Sequence, residues 1–184
     1  MDLILQIASG IGLASCAGLR TFLPLLAVGI AGRLEWVILD SRFGWLASTP
    51  SLLVLGTAVV AEMLADKFPI VDHCLDGAGT FVRPAAGALA MASTLGGASP
   101  LAGAVLAIIL GAPAAAGVHF LKAKARLISS ATTLGAANPL QSAIEDAASM
   151  TGCTLCLWAP TVVLALIIAA AVTLLWRWAG RRLA

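Results

Sequence analysis

Two carboxylates four residues apart, Glu62 and Asp66, close an uncharged run from Ser51 to Ala61 that has the composition of most of a membrane-spanning helix. On a helix that spacing puts both on one face, about one turn apart. Lys67 and Asp72 follow directly, in Glu62-Met-Leu-Ala-Asp66-Lys67-Phe-Pro69-Ile-Val-Asp72. A carboxylate deep in an apolar segment is costly in lipid, so it must face protein or a water-filled cavity, where it can bind a cation or exchange a proton. If the helix instead ends at Ala61, these are interfacial charges in headgroup water, a reading that suits Asp66 and Lys67 better than Glu62.

A second group stands at Asn138-Pro139-Leu-Gln-Ser142-Ala-Ile-Glu145-Asp146. Inside a membrane, Asn138, Ser142, Glu145 and Asp146 are oxygen donors suited to a hard cation or a proton relay. Outside it, the same segment is an amphipathic cytoplasmic helix. Arg20 lies in the apolar stretch from Leu3 to Gly32. It either pairs with a buried carboxylate such as Glu62 or snorkels to a nearby interface.

Two further clusters carry less. Asp72-His73-Cys74-Leu75-Asp76 matches no structural zinc spacing, which needs paired Cys or His at fixed separations, and reads as a solvated loop. Cys153-Thr-Leu-Cys156 has the redox spacing but no surrounding βαβ pattern, so packing cysteines are expected.

The elements that hold these residues follow from composition. The 184 residues are 60% hydrophobic and 11% charged, with a mean hydropathy of +1.01. Ordinary soluble domains carry about 25% charge. The apolar runs are continuous rather than alternating, so the fold class is all-α, a polytopic membrane bundle and not a barrel. Net charge is +2 and dispersed, which excludes a basic nucleic-acid-binding stripe. Met1-Asp-Leu-Ile lacks the basic start of a cleaved signal, so the first apolar segment is expected to stay as a helix.

One domain over 1–184 is expected, with spans near 3–31, 50–68, 84–97, 100–121 and 151–176 and a polar segment at 127–150. Pro50 opens the second helix, which puts Glu62 roughly 18 Å into a core of about 30 Å. Trp36 and Trp45 read as interfacial anchors in a loop. Lys122, Lys124 and Arg126 form the densest internal basic cluster and are assigned to the cytoplasm. Five crossings then leave Arg177, Arg181 and Arg182 outside, against the positive-inside rule. Either the last helix breaks that rule, or residues 127–150 make a sixth, polar crossing. The 84–97 segment is short and could instead be re-entrant.

Several stretches together resemble the domain of unknown function 4126 family of small multi-pass bacterial membrane proteins. They are Gly18-Leu-Arg20-Thr-Phe22-Leu-Pro24, Trp45-Leu, Glu62-x-x-x-Asp66-Lys67-x-Pro69-x-x-Asp72, Arg83-Pro84-x-x-Gly87, a Lys/Arg-rich end of the fourth helix and Asn138-Pro139-x-x-Ser142-x-x-Glu145-Asp146. The resemblance implies a helical fold in the bacterial cytoplasmic membrane and a site made of these polar residues. It implies no activity.

A small transporter or channel-like protein is therefore expected, with Glu62, Asp66, Glu145 and Asp146 meeting a cation, proton or small solute, and Arg20 and Lys67 as counter-charges. Asn138-Pro139 would expose carbonyls at a broken helix. No cofactor is expected beyond a bound cation. The expected partners are membrane lipid and a second copy, a homodimer made through Gly/Ala-rich faces. The alternatives are an enzyme acting on a lipid or lipid phosphate, for which no catalytic motif is present, and a structural protein whose buried charges fix helix pairing.

Overall fold

The structure, a computed structural model, describes the backbone of residues 2–66, 69–133 and 137–183, and the side chains of all of these except 69–76 and 180–183. Every regular element among the described residues is helical. Lys67 lies outside the described residues, as do the side chains of Asp72, His73 and Cys74.

The first apolar run is two helices rather than one span, α1 (Leu3–Leu19) and α2 (Leu23–Arg33), separated by an extended Arg20. Pro24 explains the break. Its ring would collide with the carbonyl four residues back, which belongs to Arg20, and it has no N–H to offer. At the start of a new helix the same residue costs little. A 3-10 turn (Ser41–Ala47) occupies part of the expected loop. It is opened by Asp40, whose carboxylate accepts from the Arg42 backbone N–H at 2.9 Å. The Arg42 side chain also clamps Asp40 and holds its carboxyl down to about 2.

Helix α3 (Thr49–Ala65) begins at Pro50 under a Ser48 cap. Helix α4 (Pro69–Thr94) corrects an expectation. The stretch at 72–76 is helical rather than a loop, and the helix expected from residue 84 runs 26 residues through Pro84. No breaker stands between Pro69 and Asp76, so polar composition alone does not stop it. Next comes a 34-residue rod, Pro100–Thr133, made of α5 (Pro100–Leu106), one π turn (Ala107–Gly111) and α6 (Ala112–Thr133). The π turn lies just before Pro113, which takes one N–H out of the ladder. Helix α7 (Asn138–Trp158) ends at Ala159, and α8 (Pro160–Leu183) restarts at Pro160. The last expected span is therefore divided, and the polar segment 127–150 is shared between α6 and α7.

Helix α1 is the axis. Leu13, Ala14 and Ala17 are fully buried, and α4, α6, α7 and α8 all pack against it. Small residues allow this closeness. A Cβ on Gly18 would run into the Ala115 carbonyl oxygen, and one on Gly87 into Ala115 and Gly111. Gly18→Ala is accordingly expected to cost about 1–3 kcal/mol by overpacking the α1–α6 contact, seen as a lowered unfolding midpoint in detergent.

Two elements, the Pro100–Thr133 rod and Pro160–Ala179 of α8, are long and apolar enough to cross a membrane. A third qualifies if the 3-10 turn and α3, which meet at 64°, count as one span. These mark a helical membrane protein. Their outer faces carry exposed Leu101, Ile108, Leu166 and Leu175, as lipid contact requires. Helices α1 and α2 are apolar but only 17 and 11 residues long, so five full-length crossings do not follow from helix lengths.

Candidate functional site

Breaking a helix inside an apolar bundle exposes two sets of backbone groups, carbonyls at one end and N–H groups at the other. At the end of α1 the Gly18 carbonyl accepts from Arg83 Nη1 at 3.3 Å and the Leu19 carbonyl from Lys122 Nζ at 3.1 Å. Both donors are cations at the negative end of a helix dipole. At the start of α2, Glu62 Oε1 accepts from the Thr21 backbone N–H at 2.9 Å and its hydroxyl at 3.0 Å, and Glu62 Oε2 accepts from the Phe22 N–H at 3.4 Å. A carboxylate thus meets the positive end.

This corrects the expected Arg20–Glu62 pair. Glu62 serves the backbone, and the longer Arg20 side chain reaches one turn further along α3. Arg20 Nη1 donates to Asp66 Oδ2, Nε lies 2.5 Å from Asp146 Oδ1, and Nη2 donates to Ser142 Oγ at 2.9 Å. Arg20 is 1% exposed, which excludes snorkelling.

Helix α6 supplies the remaining cations. His119, Lys122 and Arg126 share its inward face at i, i+3 and i+7, while Lys124 between them is exposed. Ser142, Glu145 and Ser149 repeat the same spacing on α7. Glu145 Oε2 lies 3.0 Å from Lys122 Nζ and 3.1 Å from Arg126 Nη2, and Oε1 accepts from Gln141 at 3.2 Å. Arg126 Nη2 also reaches Asp66 Oδ2 at 3.1 Å, with Lys122 Nζ at 3.8 Å. Lys122 and Arg126, assigned from sequence to a cytoplasmic cluster, are 4% and 5% exposed. Their i, i+4 spacing carries the signal, and Lys124 masks it.

Arg83 joins the two halves. Its Nη2 is 3.9 Å from Glu62 Oε1, and Nη1 is 2.7 Å from His119 Nδ1. A guanidinium only donates, so His119 accepts at Nδ1 and is assigned the tautomer with its proton on Nε2, which faces Thr80 Oγ1 at 3.5 Å.

Among the described residues the network therefore holds four cations (Arg20, Arg83, Lys122, Arg126) and four carboxylates (Glu62, Asp66, Glu145, Asp146). These eight charges sum to zero. Asp146, with its side chain 27% exposed, is the most exposed of the eight.

Of the residues singled out from sequence, Arg20, Glu62, Asp66, Ser142, Glu145 and Asp146 come together here. Asn138 does not. It stitches the α6–α7 hairpin, accepting from Ser129 Oγ and donating to Ser130 Oγ, both at 3.1 Å. The break in α1–α2 is formed at Arg20, not at Asn138-Pro139. Cys153 and Cys156 are buried free thiols with Cys16, packed between α7 and α1. Among the described residues no set of three or more His, Cys, Asp or Glu is arranged to hold a metal ion.

Hollows open near both ends of α1, one of them at the site. A cleft of about 360 Å³ between α3 and α4 has Thr21, Glu62 and Arg83 in its lining. A second, of about 590 Å³, opens at the far end of α1 beside Gln6, Asp40, Thr94 and Gly97. Leu13, Ala17 and Met91, all fully buried, lie between the two ends of α1.

The sequence model of the family described as Domain of unknown function (DUF4126) matches residues 7–180, and the chain belongs to that family. No curated protein matches the chain, and no solved structure does.

Proposed function

We propose that this is a small transporter or channel-like protein of the bacterial cytoplasmic membrane, with the charge network at the α1–α2 break as its translocation site. The observation that carries the reading is the broken first helix, whose opposed ends meet buried charged side chains. Transporters build substrate sites from such half-helices. With α1–α2 and the 3-10 turn with α3 each taken as a pair joined at its break, these two, α4, the long rod and α8 make about five crossings. A homodimer completes the pathway, because one protomer has few helices to enclose it.

The chemistry narrows the cargo. Every network carboxylate already faces a guanidinium or ammonium, so a bound cation must displace a side-chain partner. A proton needs no room, and a carboxylate that takes one releases its cation to another acceptor. Asp146 is the port, being the most exposed member and ion-paired with Arg20.

The test is flux in vesicles carrying an internal pH dye and a panel of cations and small solutes. Wild type is expected to move at least one of them faster than empty vesicles. Asp146→Asn, which keeps its shape at a partly wet position, is expected to cut that flux at least tenfold. A wild-type rate equal to that of empty vesicles throughout rejects the reading and favours the second one, a structural protein. That second reading rests on each charged group of the network having an opposite charge beside it, since buried ion pairs can specify helix register alone.

A further inference from the structure

The α3–α4 cleft shares Glu62 and Arg83 with the charge network but adds apolar walls and a side opening that the translocation reading does not use. Its walls are Phe22, Ala58, Ala61, Ala65, Ala78 and Val82, and its polar lining is Thr21, Glu62 and Arg83. Ala61, Ala78 and Val82 are exposed, so the cleft opens sideways onto an outer surface that also carries Val60 and Phe81. That surface is apolar, as a lipid-facing one is. The volume of about 360 Å³ sits at the small end of the ligand-pocket range, about 300–1,000 Å³.

Glu62 is 7% exposed and unevenly used. Oε1 takes both Thr21 bonds, whereas Oε2 takes one long bond of 3.4 Å from the Phe22 N–H. A carboxylate offers about four lone-pair positions, so Oε2 has room for a further donor. The donor cannot bring charge cheaply. A cation there would sit beside the Arg83 guanidinium, whose Nη2 is 3.9 Å from Glu62 Oε1, and an anion beside the Glu62 carboxylate itself, so either meets like charge.

We propose that the cleft binds an uncharged amphiphile from the bilayer, its single hydroxyl donating to Glu62 Oε2 and its apolar body lying along the alanine walls. This goes beyond the transport reading and does not depend on it, because the test reads binding and not flux.

The probes are 2-phenylethanol, 2-phenylethylamine and 3-phenylpropanoate, which share an apolar body and differ in the charge of the polar end. Each is titrated into the protein in lipid nanodiscs, with saturation-transfer NMR as the readout. The alcohol is expected to bind saturably, with the amine and the acid at least tenfold weaker. 1-Dodecanol supplied in the nanodisc lipid is expected to displace it. Ala61→Trp and Ala78→Trp each fill the cleft from an exposed rim position that is not itself part of the charge network, and each is expected to weaken the alcohol at least tenfold. Two rim variants are used so that one remains if the other folds poorly. Non-saturable uptake, equal binding of the charged probes, no displacement by dodecanol, or unchanged affinity in the folded tryptophan variants would each overturn the proposal.

Discussion

Replacing Arg20 with alanine is expected to cost about 3–5 kcal/mol of stability, the usual penalty for removing one partner of a buried ion pair. Total stabilities run at about 5–15 kcal/mol, so the variant should lie near the edge of folding. Arg20 is fully buried and serves Asp66, Asp146 and Ser142 at once. Without it, two carboxylates lose their shared cation at the point where the backbone has no helical bonds of its own. Arg20→Lys is expected to recover less than half of the loss. One ammonium cannot present three donors in the guanidinium's fixed fork. Unfolding of the detergent-solubilised protein in a denaturant titration measures both. A cost below about 0.5 kcal/mol for the alanine, the range of ordinary surface substitutions, would mean that Arg20 is not paired as described.

The second large effect belongs to Lys122 and Glu145. Lys122→Met removes the ammonium that lies 3.0 Å from Glu145 and donates to the Leu19 carbonyl. Glu145→Gln removes the carboxylate facing both Lys122 and Arg126. Each single variant leaves the buried network one charge out of balance and is expected to lose about 3–5 kcal/mol. The double variant restores the balance. Its loss should therefore fall short of the sum by about 1–3 kcal/mol, the coupling seen between residues in one network. Additivity within about 0.5 kcal/mol would place the two side chains in separate environments.

Much of this site is legible in the chain, for a physical reason. A charge inside an apolar run is too costly to be there without a partner, so Arg20 and Glu62 stand out before any coordinates, while Glu145 and Asp146 stand out through the polar segment they share with Asn138 and Ser142. Spacing then adds faces: Glu62 with Asp66, and Ser142 with Glu145. The family resemblance carried by those same residues holds over residues 7–180.

What sequence obscures is which charges lie at helix ends. Lys122 and Arg126 follow a long apolar stretch and so read as cytoplasmic. Yet the helix continues to Thr133 and turns them inward, while Lys124 faces out. The start of α4 is hidden for the opposite reason. Asp72 and Asp76 look like loop, but nothing between Pro69 and Gly77 breaks a helix. The pairing at the break also needs three dimensions. Pro24 predicts an interruption near Arg20 through its collision four residues back. Only the packing of α3 and α4 on it decides that Glu62 meets the backbone and Asp66 meets the guanidinium. Arg83 was marked only by the family motif Arg83-Pro84-x-x-Gly87, and His119 gave no signal beyond being polar, because their partners come from four different helices.

The central claim is that the network at the α1–α2 break moves charge or solute across the membrane. The most direct measurement compares flux through vesicles holding wild type with flux through vesicles holding Asp146→Asn, which keeps its shape at the partly exposed end of the network. The account predicts that the folded variant loses at least tenfold of the wild-type flux. Wild-type flux in the folded variant would contradict it.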